Sequence, residues 1–176
     1  MSLNIFQNEI LDLFEAISAL IADTRKRVAT TVNAEVTLLN FKVGEHIHSF
    51  ILEGRRAAYG KQIIANLSAL LNLKFGSGWS AKHLFHCLRS AESFSQEQIV
   101  SAVQRQLSWT HLKTIAYEKD ELKRAFYIEM AIHQRWNTRT LAEQIDKMLF
   151  ERTAIATQPH EQIELALKEL KGRKAA

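Results

Sequence analysis

Two triplets, Glu121-Leu122-Lys123 and Glu169-Leu170-Lys171, have the acid, spacer, lysine order that can hold a divalent metal and an activated water for phosphodiester hydrolysis. That chemistry also needs a preceding Asp and adjacent strands to bring the groups together. Both triplets lie in helical patterns that offer neither, so the spelling is read as coincidence and no nuclease activity is expected. His83 and His86 stand one turn apart beside Cys87, a spacing that could present two ligands to a metal. Two further ligands are lacking nearby, so these are read as surface or groove histidines, and no metal or other cofactor is expected. His46 and His48 are two residues apart and point in different directions on a helix. No Ser, His and Asp set can be argued from order alone. Gly76-Ser77-Gly78 is too short to cradle a phosphate and follows a helix instead of a strand.

Charge suggests binding instead of catalysis. The net charge of +4 is modest, but it is unevenly placed. From Met1 to Asp23 the chain carries Glu9, Asp12, Glu15 and Asp23 and no base. From Gly54 to Ala91 it carries Arg55, Arg56, Lys61, Lys74, Lys82 and Arg89 and no acid. A run of this kind suits contact with phosphates, although a solvated face touching acids elsewhere in the fold has the same composition. Arg135 and Arg139 bracket a later turn, where an arginine at the start of a recognition helix can reach a phosphate or a guanine edge. Arg139 can equally pair with Glu143 four residues on. Trp79, Trp109 and Trp136 each sit at a helix start, and are read as wedging the turns against a core before stacking on bases. His111, one turn from Ser108, can bond a backbone group at its junction or reach a phosphate.

These residues must be positioned by helices. With one proline, Pro159, and six glycines, apolar residues recur at helical spacing nearly throughout, and no strand is predicted. A stripe from Ile5 to Ile21 and a second from Val32 to Ile51 form one bent helix or two, because Thr30, Thr31 and Val32 are poor helix residues that do not forbid continuation. Ile63, Ile64, Leu67, Leu70 and Leu71 predict a helix over about 58–73, stopped by Gly76 or Gly78 in the left-handed conformation. Ser80 caps the next, giving a helix, glycine turn, capped helix with Ser80 to Ser90 in the recognition position. Ser95 with Gln98 spells a capping box. Ser108, the Lys119-Asp120-Glu121 start and Asn137 open three more helices, the last two forming a second helix, turn, helix unit. Beyond Arg152 the pattern weakens and 160–171 reads as a charged amphipathic tail helix.

In order along the chain, Val32-Asn33-Ala34-Glu35 leading to Gly44, Ala58-Tyr59-Gly60-Lys61, Phe75-Gly76-Ser77-Gly78-Trp79-Ser80, Leu107-Ser108-Trp109-Thr110-His111, and Phe126-Tyr127 followed by Trp136, Arg139, Leu141, Gln144 and Ile145 resemble the N-terminal domain of the YhcG-type bacterial proteins. The resemblance covers roughly 25–152. It implies a helix-turn-helix-like, DNA-handling domain of the kind usually joined to a C-terminal nuclease domain of the PD-(D/E)XK type. The nuclease half has no counterpart in these residues, as expected either of a stand-alone relative or of a chain cut before the catalytic domain. The family's helix at Ala81 to Cys87 is commonly richer in arginine, which weakens a base-reading role for it.

The sequence therefore predicts an all-α, multi-helix bundle containing two helix-turn-helix-like units. An N-terminal helix or helix pair occupies 1–53, the core 54–152 and a tail or linker helix 153–176. The expected function is that of a non-catalytic module binding double-stranded DNA through Arg55, Arg56, Lys61, Lys82, Arg89, Arg135 and Arg139, serving a nuclease domain in cis or in trans. The competing reading is a protein–protein assembly domain, such as a homodimer formed by the first or second helical stripe. Cys87 is the single cysteine, so no internal disulfide can form. No segment is apolar enough for a membrane span or reads as a signal peptide, and a cytoplasmic setting is expected.

Overall fold

A computed structural model describes the backbone of residues 2–53 and 60–157, and the side chains of 14–52 and 60–153. Eight helices and no strand occur among the described residues: α1 (Ser2–Glu53), α2 (Gly60–Phe75), α3 (Ala81–Ser93), α4 (Gln96–Gln104), α5 (Trp109–Ile115), α6 (Glu121–His133), α7 (Thr138–Asp146) and α8 (Leu149–Thr157). The all-α expectation holds. The tail helix over 160–171, the triplet at Glu169, and Arg55 and Arg56 lie outside the described residues.

α1 runs unbroken for 52 residues, about 78 Å at 1.5 Å per residue. It continues through the Thr30–Thr31 pair, whose hydroxyls bond back to the carbonyls of Lys26 and Arg27 one turn earlier. The other helices start where their caps stand. Ser80 accepts from the His83 N–H, Ser95 and Gln98 close a reciprocal box, Asp120 accepts from Leu122 and Lys123, and Asn137 accepts from Thr140. Between α2 and α3, Gly76 takes a left-handed φ of 88°. The turn is clamped from α2: Ser68 Oγ donates to the Trp79 carbonyl at 2.7 Å, and Asn72 Oδ1 accepts from the Trp79 N–H at 3.0 Å.

Three later helices end in left-handed residues that are not glycine: Gln106, Arg135 and Met148. The first two close full Schellman motifs. Leu107 N–H reaches the Ala102 carbonyl and Gln106 N–H that of Val103; Trp136 and Arg135 do the same to Ala131 and Ile132. The apolar residue that follows each, Leu107 or Trp136, then turns into the core. Burying that residue offsets a backbone conformation costing about 1–3 kcal/mol away from glycine.

The core has two parts. Phe41, Phe94, Ile99, Leu112, Ile115, Tyr127 and Leu141 anchor the larger, and Ile47, Ile64 and Leu84 the smaller. α1 and α3 cross between them at Gly44, where a Cβ would lie 2.0 Å from the Cys87 carbonyl oxygen and 3.1 Å from Ala91 Cβ. The glycine is therefore required by backbone approach within a helix, where it otherwise costs about 0.5–1 kcal/mol relative to Ala. Gly44→Ala is expected to lose about 1–3 kcal/mol by overpacking despite its better helix propensity. Urea unfolding checks this, and an unchanged or raised midpoint contradicts the crossing.

Candidate nucleic-acid interface

α4–α5 and α6–α7 meet at their turns, and His111 joins them. Ser108 donates its N–H at 3.3 Å and its hydroxyl at 2.8 Å to His111 Nδ1, while His111 Nε2 donates to the Trp136 carbonyl at 3.0 Å. Both ring nitrogens are thus engaged in one neutral tautomer. Burial holds the imidazole below its usual pKa despite the bond to Trp136. Of the two roles the sequence allows His111, the structure places it in the junction.

The joined turns and α1 enclose a groove of about 580 Å³ lined by Lys26, Gln104, Arg105, Gln106, Arg135 and the edge of Trp136, among others. Arg105 is internally committed: its Nη1 lies 2.8 and 2.9 Å from the two oxygens of Glu129, a carboxylate only 2% exposed. That pair neutralises itself, leaving Lys26 and Arg135 as the cations and Gln104 and Gln106 as the neutral donors facing the opening. Lys26 was not among the sequence-predicted residues.

Among the described residues, Arg135 is the member of the predicted set that lines this groove. Arg139 follows in the first turn of α7 and is 88% exposed, paired with Glu143 at 3.2 Å. So open an ion pair holds Arg139 weakly. Lys61 and Lys82 are exposed on α2 and α3. Arg89 differs, because its Nε donates to the Ala116 carbonyl at 3.0 Å and its Nη1 reaches Glu92 at 3.5 Å, tying α3 to the end of α5.

The remaining candidates resolve into packing. His83 Nε2 donates to Asn40 Oδ1 at 3.0 Å, with Trp79 and Trp109 edge-on at 5.6 and 6.0 Å, whereas His86 Nδ1 shares a 2.7 Å bond with the Tyr117 hydroxyl. The two histidines turn to different partners. Burial first, then Lys113, keeps both below the usual histidine pKa. Burial pushes the Cys87 thiol up to about 12. Trp79 packs on the smaller core and Trp136 on the larger, as wedges do. Glu121 and Lys123 stand on α6, and Lys123 is held by Glu118 at 2.8 Å and Glu151 at 2.7 Å, a structural cluster.

Three histidines whose folded pKa is depressed bind protons more readily in the unfolded chain. Their contribution to stability is complete above an unfolded pKa of about 6.5 and falls as pH drops below it. The urea midpoint is therefore expected to decline from pH 7.5 to 5.5. His111→Ala should cost about 2–3 kcal/mol at pH 7.5 by orphaning the Trp136 carbonyl and Ser108 N–H, and should flatten part of that decline. A profile identical to that of the parent chain contradicts the junction role.

With this geometry in view, residues 16–152 match the DUF1016 N-terminal domain. The chain is also 26% identical over 174 residues to the Escherichia coli (strain K12) protein named Putative nuclease YhcG, an alignment covering 82% of this chain and 46% of that protein. The chain thus spans less than half of that relative's length. No solved structure matches it.

Proposed function

The chain belongs to the DUF1016 N-terminal domain family, and from that premise we propose that it is a non-catalytic helical module that binds double-stranded DNA on behalf of a nuclease domain supplied in cis or in trans. The observation that carries this reading is the groove at the two joined turns, with Lys26 and Arg135 free to face a phosphate backbone and Arg139 beside it on α7. The relative's printed name, and the fact that half of its length lies beyond the matched region, supports the link to a nuclease.

In this reading α6, its left-handed turn and α7 act as a helix-turn-helix-like unit. Its second helix begins at the duplex, so the positive end of its dipole and Arg139 face phosphate. Lys61 on α2 and Lys82 on α3 extend the backbone contacts, and Arg55 and Arg56, shortly before α2 in the sequence, add to them. Arg89 contributes by fixing α3 to α5. Phosphate contacts of this kind position the module and carry little sequence preference.

The test is fluorescence anisotropy with a labelled duplex of roughly 30 base pairs across a salt series. About six phosphate contacts predict a log–log slope near −5. Lys26→Glu combined with Arg135→Gly should weaken binding and make the slope shallower by about two, one for each lost contact. Arg135→Gly is chosen because glycine accepts the left-handed backbone at that position. Absence of binding at low salt, or an unchanged slope in the double variant, refutes the proposal.

A further inference from the structure

The edge where α3 faces α5 gathers cations with no acid to balance them. Gly54 to Ala91 lacks acids, and from Gln98 to Tyr117 the chain carries Arg105 and Lys113 and again no acid. Trp109, Lys113 and Tyr117 recur four residues apart, which keeps all three on one side of α5 and its end. That side is turned to α3, because the Trp109 and His83 ring centroids are 6.0 Å apart and the Tyr117 hydroxyl shares a 2.7 Å bond with His86 Nδ1. On α3, Lys82 stands one turn before His86 and so on the same side of that helix. Lys82, His86 and Lys113 therefore share one seam.

Three donors on this seam have no acceptor. Neither the Lys82 nor the Lys113 ammonium has a hydrogen bond or an ion pair among the described residues. The Tyr117 phenol, the more acidic partner of its pair, donates to His86 Nδ1, which puts the proton of the neutral ring on Nε2, an atom without a partner among the described residues. Arg89, one turn beyond His86, is spent on the Ala116 carbonyl and Glu92. Burial first, then Lys113, Lys82 and His83, holds His86 below its usual pKa, so the charges acting on this ring are all positive. Cations gathered without a counter-charge repel one another, and an anion with several charged oxygens both relieves that and accepts from all three donors. We propose that Lys82, His86 and Lys113 bind one phosphoryl group, with Tyr117 as the positioning residue that turns the imidazole Nε2–H toward it. A nucleic-acid backbone and a free phosphate share this chemistry. These residues do not line the groove at the joined turns, and the inference does not depend on DNA binding there.

Imidazole resonances of the full chain, followed by NMR while inorganic phosphate or, separately, a short DNA duplex is added, test this. The proton affinity of His86 is expected to rise roughly three- to tenfold with phosphate bound, because an adjacent anion favours the imidazolium. Sodium chloride of the same ionic strength should raise it less, since it only screens. Lys82→Gln with Lys113→Gln should weaken phosphate binding about tenfold. The urea midpoint should not fall in that variant, because neither side chain belongs to a core. Tyr117→Phe should weaken binding roughly threefold and leave both neutral tautomers of His86 in its nitrogen spectrum, where the parent chain shows the Nε2–H form. A response of His86 to the duplex that the double lysine variant loses assigns the phosphoryl group to a nucleic-acid backbone; a response to inorganic phosphate alone assigns it to a free phosphate. An equal rise in matched sodium chloride, or no response to either probe, overturns the site, and duplex binding that leaves His86 unmoved by both probes does so while the groove reading stands.

Discussion

α1 and α3 cross at Gly44 with almost no space between their backbones. Because the Cys87 carbonyl occupies the space a side chain would need, the two backbones approach far closer than helices usually do. On one side of the crossing Phe41 and Phe94 enter the larger core; on the other Ile47 and Leu84 enter the smaller. Each helix supplies both cores. Separating them would open both. A polar contact fixes the rotation of the pair: Asn40, 4% exposed, accepts at Oδ1 from Nε2 of the His83 ring. Such groups are costly to bury unpaired, so α1 can face α3 in only one way.

From this pair the shorter helices are built outward, and their turns are held as firmly as their cores. His111 ties the α4–α5 turn to the α6–α7 turn through a single ring, so the two Schellman endings are bonded to each other. The Arg105–Glu129 pair reinforces the same corner from inside. Preorganisation of this kind favours binding a large, regular ligand, because little ordering is left to be done on contact.

Much of this was legible in the sequence. Ser80, Ser95, Ser108, Asp120 and Asn137 announce helix starts because short polar side chains compete for exposed backbone N–H groups. Gly76 announces a stop for its own steric reason. The other stops were hidden, because Gln106, Arg135 and Met148 adopt left-handed backbone only under the pull of the core on the residues around them. The inward face of α1 was hidden as well. Thr37, Asn40 and Gly44 do not look like core residues, whereas the apolar stripe that does look like one faces outward. Lys26 went unnoticed with it. Composition alone could not separate Arg89, which bonds a carbonyl, from Lys82, which does not lie in the core, since both belong to the same basic run.

Backbone amide chemical shifts of the isotope-labelled chain, followed while a short DNA duplex is added, locate the duplex on the protein. Shifts concentrated at Lys26, Gln104, Gln106, Arg135 and Arg139 are predicted, because these residues surround the groove or follow it on α7. Shifts confined to α2 and α3, or none at low salt, would contradict it.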